Sequence, residues 1–260
     1  MSANKYKYLF WDLDGTLTQS EFGIIDSVIY ALEKMNIEPE SREQLKKFIG
    51  PPLYESFKNF YNMTREDAEE AVRLYREFYT KEGIYRAPLY DGIKETLEEL
   101  SKQGFKHMVV TSKPADLADI VVTSNGIREY FDAVVGPTRA EKHSDKTFLI
   151  EAALKLSEMG NAADFGGVVT PGEVLETAED ADGNTVTLTA DVKDETRQAA
   201  VMIGDRHYDI NAAVKCSIDS IGVLFGYGSE EELVTAGATY IAKTAEGIVR
   251  VVEGAKRTCV

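Results

Sequence analysis

The sequence predicts an α/β fold: a parallel sheet with helices on both faces, and a wholly helical segment inserted after the first strand. Three observations predict it. Short, mostly apolar runs of the kind that form strands covered on both sides occur near residues 7–11, 107–110, 131–135 and 199–203. Amphipathic helix patterns fill the gaps between most of them. From residue 19 to about 81, by contrast, helical spacing continues without any strand signal.

The first run ends in Asp12-Leu13-Asp14-Gly15-Thr16. In an open α/β sheet, ligands bind outside the carboxyl ends of the strands, so these residues are candidates for chemistry. Asp12 and Asp14 are two apart, which in a plain strand puts both side chains on one face. Gly15 lets the chain turn and come close to a ligand. Neighbouring carboxylates repel, and a magnesium ion is the simplest counter-charge.

The helical segment follows. Phe22, Ile25, Val28, Ile29, Leu32 and Met35 recur at helical spacing, and Leu45 and Phe48 continue the pattern. Gly50-Pro51-Pro52 breaks it before Leu53, Phe57 and Phe60. Thr64 is the expected N-cap of a helix carrying Ala68, Ala71, Val72, Tyr75, Phe78 and Tyr79. The aromatic residues here are expected in the core rather than against a ligand.

Next, Asp91 is the expected cap of a helix with Ile93, Leu97 and Leu100 on one face, closed by Gly104. The second strand ends in Thr111-Ser112-Lys113-Pro114, a pair of hydroxyls before a helix N-terminus and thus a ready phosphate site. A helix closed by Gly126 leads to the third strand. Lys146 then opens a helix bearing Phe148, Leu149, Ala152, Ala153 and Leu156, with Ser144 or Asp145 as its cap. Between residues 160 and 197, runs at 174–177 and 185–189 flank Asp182-Gly183-Asn184, which predicts a surface hairpin whose edges invite pairing. The fourth strand ends in Gly204-Asp205-Arg206-His207-Tyr208-Asp209, a second carboxylate pair at the end of a buried strand. Short runs follow at residues 220–223 and 239–241. Ser229 caps an acidic first turn between them, and an amphipathic helix closes the pattern.

Composition narrows the functional classes. The chain has 260 residues, enough for one core and a smaller appended part, with 43% hydrophobic and 28% charged residues. A net charge of −15 disfavours a nucleic-acid partner. No apolar run approaches the roughly 18 residues of a membrane helix, so no membrane partner is expected. Met1 to Lys5 lead straight into the first strand, leaving no room for a signal peptide, and Cys216 and Cys259 are far apart without metal-ligand spacing. A cytoplasmic location with reduced thiols is the expectation.

Taken in order, these stretches resemble the motifs of the haloacid dehalogenase-like hydrolases: Asp-x-Asp-Gly-Thr at residues 12–16, Thr111 or Ser112, a lysine at a helix start, and Gly-Asp-x-x-x-Asp at 204–209. The resemblance implies a doubly wound parallel sheet core, Rossmann-like, at 1–18 and 86–260. It further implies a helical cap at 19–85, with the β-hairpin insertion at 160–197 a departure from the family. It implies that Asp12 is a nucleophile, Asp14 a general acid and base, and that Thr111, Ser112 and Lys146 bind phosphate, with Lys142 the alternate lysine. Magnesium would be held by Asp12, Asp14 (through its carbonyl) and Asp205, with Asp209 supporting. The segments at 48–53 and 226–233 resemble the phosphoglycolate phosphatase branch. The implied activity is hydrolysis of a small phosphorylated metabolite, phosphoglycolate or a nucleoside 5′-monophosphate. A sugar phosphomutase keeps the same motifs. Dehalogenases lack the second acidic residue, so Asp14 speaks against them. A silent binding scaffold is the rival from another class.

Overall fold

A computed structural model describes residues 4–140, 144–159, 167–175, 177–179, 185–187 and 192–254. The first strand, β1 (Tyr8–Trp11), is followed by α1 (Glu21–Lys34), α2 (Arg42–Leu45), α3 (Leu53–Phe60) and α4 (Arg65–Tyr79). Then come α5 (Ile93–Lys102), β2 (Lys106–Val110), α6 (Ala115–Ser124), β3 (Ala133–Val135) and α7 (Lys146–Met159). Next are β4 (Val168–Val169), α8 (Pro171–Val174), β5 (Thr177–Glu179), β6 (Thr185–Thr187) and α9 (Asp194–Gln198). The rest is β7 (Ala200–Gly204), α10 (His207–Lys215), β8 (Asp219–Val223), α11 (Glu230–Thr235), β9 (Tyr240–Ala242) and α12 (Ala245–Val252).

Seven strands form one parallel sheet in the order β4-β3-β2-β1-β7-β8-β9. The central strand β1 pairs with β2 on one side and β7 on the other, placing Trp11 beside Val109 and Ile203. Strand order therefore reverses at β1, where a crevice opens beyond the carboxyl ends. The apolar run of β1 serves both faces. Leu9 and Trp11 enter the core shared with α1, α5, α6 and α12, whereas Phe10 joins Met108, Met202 and the buried faces of α7 and α10. A fully buried side chain of this size contributes on the order of 2–3 kcal/mol.

Between β1 and α5 the chain is helical, and its two connections to the sheet run side by side. Gln19 N–H donates to the Pro88 carbonyl at 2.7 Å, and Tyr90 N–H to the Leu17 carbonyl at 3.1 Å. Helix α1 packs on α4, and α3 on α4. Thr64 caps α4, its hydroxyl accepting from Asp67 N–H. Among the described residues, no helix is long and apolar enough to cross a membrane.

Four expectations change. Phe22 is 52% exposed, beneath the Arg42 guanidinium, and Ile24 takes the buried place in α1. The cap of α5 is Gly92 at φ +79°, not Asp91. Val168 and Val169 add a seventh strand beside Val134 and Val135, too short to leave a period in the sequence. Val174 closes helix α8 rather than opening a hairpin strand, because Thr170 and Glu173 form a capping box around Pro171. The hairpin itself pairs Thr177 with Thr187 and Glu179 with Thr185. Its expected turn, Asp182-Gly183-Asn184, lies outside the described residues, as does Lys142.

Candidate active site

Three adjacent strands deliver the site. Asp12 follows β1, Thr111 follows β2 and Asp205 follows β7, and all three are buried. Asp12 N–H donates to the Ile203 carbonyl at 2.9 Å, so the backbone at Asp12 is still held by the sheet. The chain then folds back through Gly15, whose φ is +94°, and Gly15 N–H closes the turn on the Thr18 carbonyl. Asp12 and Asp14 do not share a counter-charge. Lys146 Nζ donates to Asp12 Oδ1 at 2.6 Å and lies 2.8 Å from Asp209 Oδ1, whereas Lys113 Nζ donates to Asp14 Oδ2 at 2.5 Å.

Lys146 stands at the first position of α7, with Asp145 Oδ1 accepting from Thr147 N–H at the helix start. It also donates to the Val110 carbonyl at 3.1 Å, which fixes its ammonium beneath the end of β2. The Thr111 hydroxyl accepts from Lys113 N–H, tightening the turn into α6, and the Ser112 hydroxyl reaches the Ser144 carbonyl at 3.4 Å.

Asp12, Asp205 and Asp209 each bring one carboxylate oxygen to within 4.8 Å of the others. Tyr227 N–H donates to Asp205 Oδ2 at 2.8 Å and the Thr16 hydroxyl reaches Oδ1 at 3.3 Å. Glycines leave room for this carboxylate. A Cβ on Gly226 would lie 2.3 Å from both Asp205 Cβ and the Gly15 carbonyl, and one on Gly228 would lie 2.0 Å from the Asp205 carbonyl. Burial raises the Asp12 carboxyl to about 7, with Lys146 opposing and Asp209 and Asp14 adding to the shift. Asp205 is raised well above the carboxylate range by burial and by Asp12 and Asp209. Burial would lower Lys113 and Lys146, but their carboxylate partners hold both above the ordinary lysine value.

Four buried aspartates thus face two lysines whose side chains are each 7% exposed, and the excess negative charge suits a divalent cation. An all-oxygen set of carboxylates is the donor chemistry of a hard ion such as magnesium or calcium. Asp12, Asp205 and Asp209 could hold it by their side chains. The Asp14 carboxylate is taken by Lys113 and stands outside that trio.

Above this floor, the cavity is walled by Ile24, Phe48, Tyr75, Tyr79 and Leu117, with Gly50 to Leu53 along one side and the guanidinium-bearing Arg76 and Arg206 at its border. Tyr75 and Tyr79 are buried, as expected of core residues, and they also line the cavity. Arg206 reaches from the β7–α10 turn to the Ile49 carbonyl at 3.4 Å and to Glu232 at 2.9 Å. Sequence reasoning singled out every aspartate here but passed over Lys113, which nothing in the pattern distinguishes from a surface lysine except its place beside Thr111.

The chain is similar to known proteins over nearly its whole length. A protein of Pseudomonas aeruginosa named 5′-nucleotidase is 31% identical over 252 residues, covering 97% of this chain and 98% of that protein. A phosphoglycolate phosphatase of Vibrio parahaemolyticus is 24% identical over 265 residues, with 97% and 98% coverage. The crystal structure of a predicted phosphatase from Clostridium acetobutylicum superposes with a TM-score of 0.77 at 35% identity, covering 95% of this chain and 98% of that one. The haloacid dehalogenase-like hydrolase family model matches residues 9–163, and a second, HAD-hydrolase-like model matches residues 173–247. With the motif residues gathered at one crevice and its length matched in this way, the chain belongs to the haloacid dehalogenase-like hydrolases.

Proposed function

We propose that this protein is a magnesium-dependent phosphatase that hydrolyses a small phosphate monoester through a phosphorylated Asp12. The observation that carries the reading is the pairing of Asp12 with Lys146 inside a cluster of buried carboxylates, beside the hydroxyls at 111 and 112. Asp12 attacks phosphorus, forming an Oδ–P bond while the ester P–O bond breaks. Asp14 gives its proton to the leaving oxygen. Asp14 then takes a proton from water, whose oxygen bonds to phosphorus as the Asp12 link breaks, and inorganic phosphate leaves.

Lys146 offsets the charge of Asp12 and of the phosphoryl oxygens, and Thr111 and Ser112 offer donors to those oxygens. Magnesium, when bound by Asp12, Asp205, Asp209 and the Asp14 carbonyl, supplies Lewis-acid stabilisation of the phosphoryl group. Hydrolysis of a monoester demands transition-state stabilisation on the order of 20 kcal/mol or more, which suits a covered, low-dielectric site.

Phosphoglycolate and nucleoside 5′-monophosphates are the favoured substrates. The Pseudomonas relative's name and the aromatic wall of Phe48, Tyr75 and Tyr79 support the nucleotide. The test is phosphate release from a panel of both classes, with magnesium and with chelator, on wild type and Asp12→Asn. Metal-dependent release that disappears in the variant is the expected result. No release from any ester overturns the proposal and brings phosphoryl transfer between sugars, or a silent scaffold, to the front.

A further inference from the structure

We propose that Lys113 is the positioning residue of Asp14: it takes one carboxylate oxygen and leaves the other for proton transfer, and Tyr79 of α4 holds the lysine in place. The inference rests on the phosphatase reading for the role of Asp14. Its geometry is independent of that reading.

The side chains of Lys113 and Asp14 are largely covered, 7% and 11% exposed. The lysine is fixed at both ends. Its backbone N–H donates to the Thr111 hydroxyl, and its ammonium donates to Asp14 Oδ2. The ammonium also lies 5.1 Å from the centroid of the Tyr79 ring, within cation–π reach, and that ring stacks on Tyr75. Asp14 lines the cavity, and its Oδ1 is the opposite case: buried and without a hydrogen-bond partner among the described residues. A carboxylate with one oxygen taken and the other bare has a single oxygen left for proton transfer.

The two site lysines therefore have separate duties. Lys146 serves Asp12 and Asp209, where the phosphoryl group arrives, and Lys113 pairs with the acid–base aspartate alone among the described carboxylates. Burying an ammonium is costly unless it is paired, and Asp14 is the carboxylate that pairs with Lys113 here. Because Tyr79 comes from the helical segment and Lys113 from the sheet, the acid–base group is tied to the seating of α4 over the crevice.

The test uses the full chain carrying Lys113→Met, Lys113→Arg or Tyr79→Leu. With an alkyl phosphate, whose leaving oxygen needs a proton, Lys113→Met should lower kcat by a hundredfold or more with KM changed less than threefold. With p-nitrophenyl phosphate, whose leaving group needs none, the first turnover should survive as a burst of one equivalent of nitrophenolate. The phosphorylated enzyme should then accumulate by intact mass, since its hydrolysis needs Asp14. Lys113→Arg should recover part of kcat, and Tyr79→Leu should repeat the Lys113→Met pattern more weakly. Magnesium affinity by calorimetry should stay within twofold.

An unchanged kcat would overturn the proposal. So would a rise in KM alone, which would make Lys113 a substrate contact, or loss of the burst, which would make it a support for Asp12. A thermal double-mutant cycle needs no turnover. If Lys113 holds Asp14, the Tm losses of Lys113→Met and Asp14→Asn should be less than additive. Additive losses refute the pairing even in a chain that releases no phosphate from any ester, so this inference and the phosphatase reading can fail separately.

Discussion

Trp11 donates its indole N–H to His107 Nδ1 at 3.1 Å, inside the sheet and away from the reacting groups. The bond uses Nδ1 as an acceptor, so the neutral ring carries its proton on Nε2, which is buried without a partner among the described residues. The imidazole also stacks on the indole and meets Phe131 edge-on. Burial, helped by Lys106, lowers His107 from 6.5 to about 4.

That shift has a sign. The unfolded chain binds the proton at higher pH than the folded one, so the stability His107 contributes is complete above about pH 6.5 and is lost as pH falls toward 4. Between pH 7 and pH 5 the loss is about 2 kcal/mol. Urea unfolding of wild type and His107→Gln at the two pH values should show it. The variant keeps an acceptor for Trp11, and its stability should change less between them by about that amount.

Metal binding should be pH-dependent in the opposite range from an ordinary carboxylate site. With Asp12 raised to about 7 and Asp205 raised by burial and its neighbours, protons compete with the cation up to neutral pH. Magnesium affinity should therefore fall between pH 8 and pH 6. The rise in Tm on adding magnesium should be larger at pH 8 than at pH 6, as thermal unfolding at fixed ion concentration would record.

The glycines around Asp205 should be intolerant for a reason separate from backbone freedom. Gly226→Ala places a methyl group against Asp205 and the Gly15 carbonyl, so magnesium affinity should drop tenfold or more while the far-UV circular dichroism stays native. Gly50 is the control. Its φ is +102° but a Cβ there meets nothing within 4 Å, so Gly50→Ala should cost about 1–2 kcal/mol of local strain and leave magnesium affinity unchanged.

Tyr227 ties the same carboxylate to the start of α1. Its hydroxyl accepts the N–H of Glu21 at 3.0 Å, while its own N–H holds Asp205. Tyr227→Phe should remove the first bond, together with the hydroxyl's side-chain interactions with Tyr90 and Ser20, and keep the second. A stability loss of about 1 kcal/mol by chemical denaturation, with unchanged magnesium affinity by calorimetry, is the expected outcome.

The elements that were legible in the sequence are those whose physics is local. The runs around β1, β2 and β7 are buried on both faces and so show no polar alternation, and each ends in the polar residues that form the crevice. Thr64 and Ser229 cap helices through bonds three residues away, and Gly104 and Gly126 close helices with positive φ, all within reach of a sequence pattern. What was hidden depends on tertiary partners. Strand β4 is two residues long and exists because Val134 and Val135 offer an edge. Phe22 has an apolar side chain at a helical interval but lies outside the packed stripe of α1. Lys113 differs from a surface lysine only through Asp14, which is 99 positions away in the chain.

The paired connections at Gln19–Pro88 and Leu17–Tyr90 carry one more consequence. The chain leaves the sheet and returns to it at the same place, so the loop is closed at its base whatever lies beyond. Closure entropy changes slowly with the length so enclosed, and a longer or shorter excursion would leave strand order and the three strand ends untouched. A molecule built this way can exchange what covers its reaction floor without rebuilding the floor.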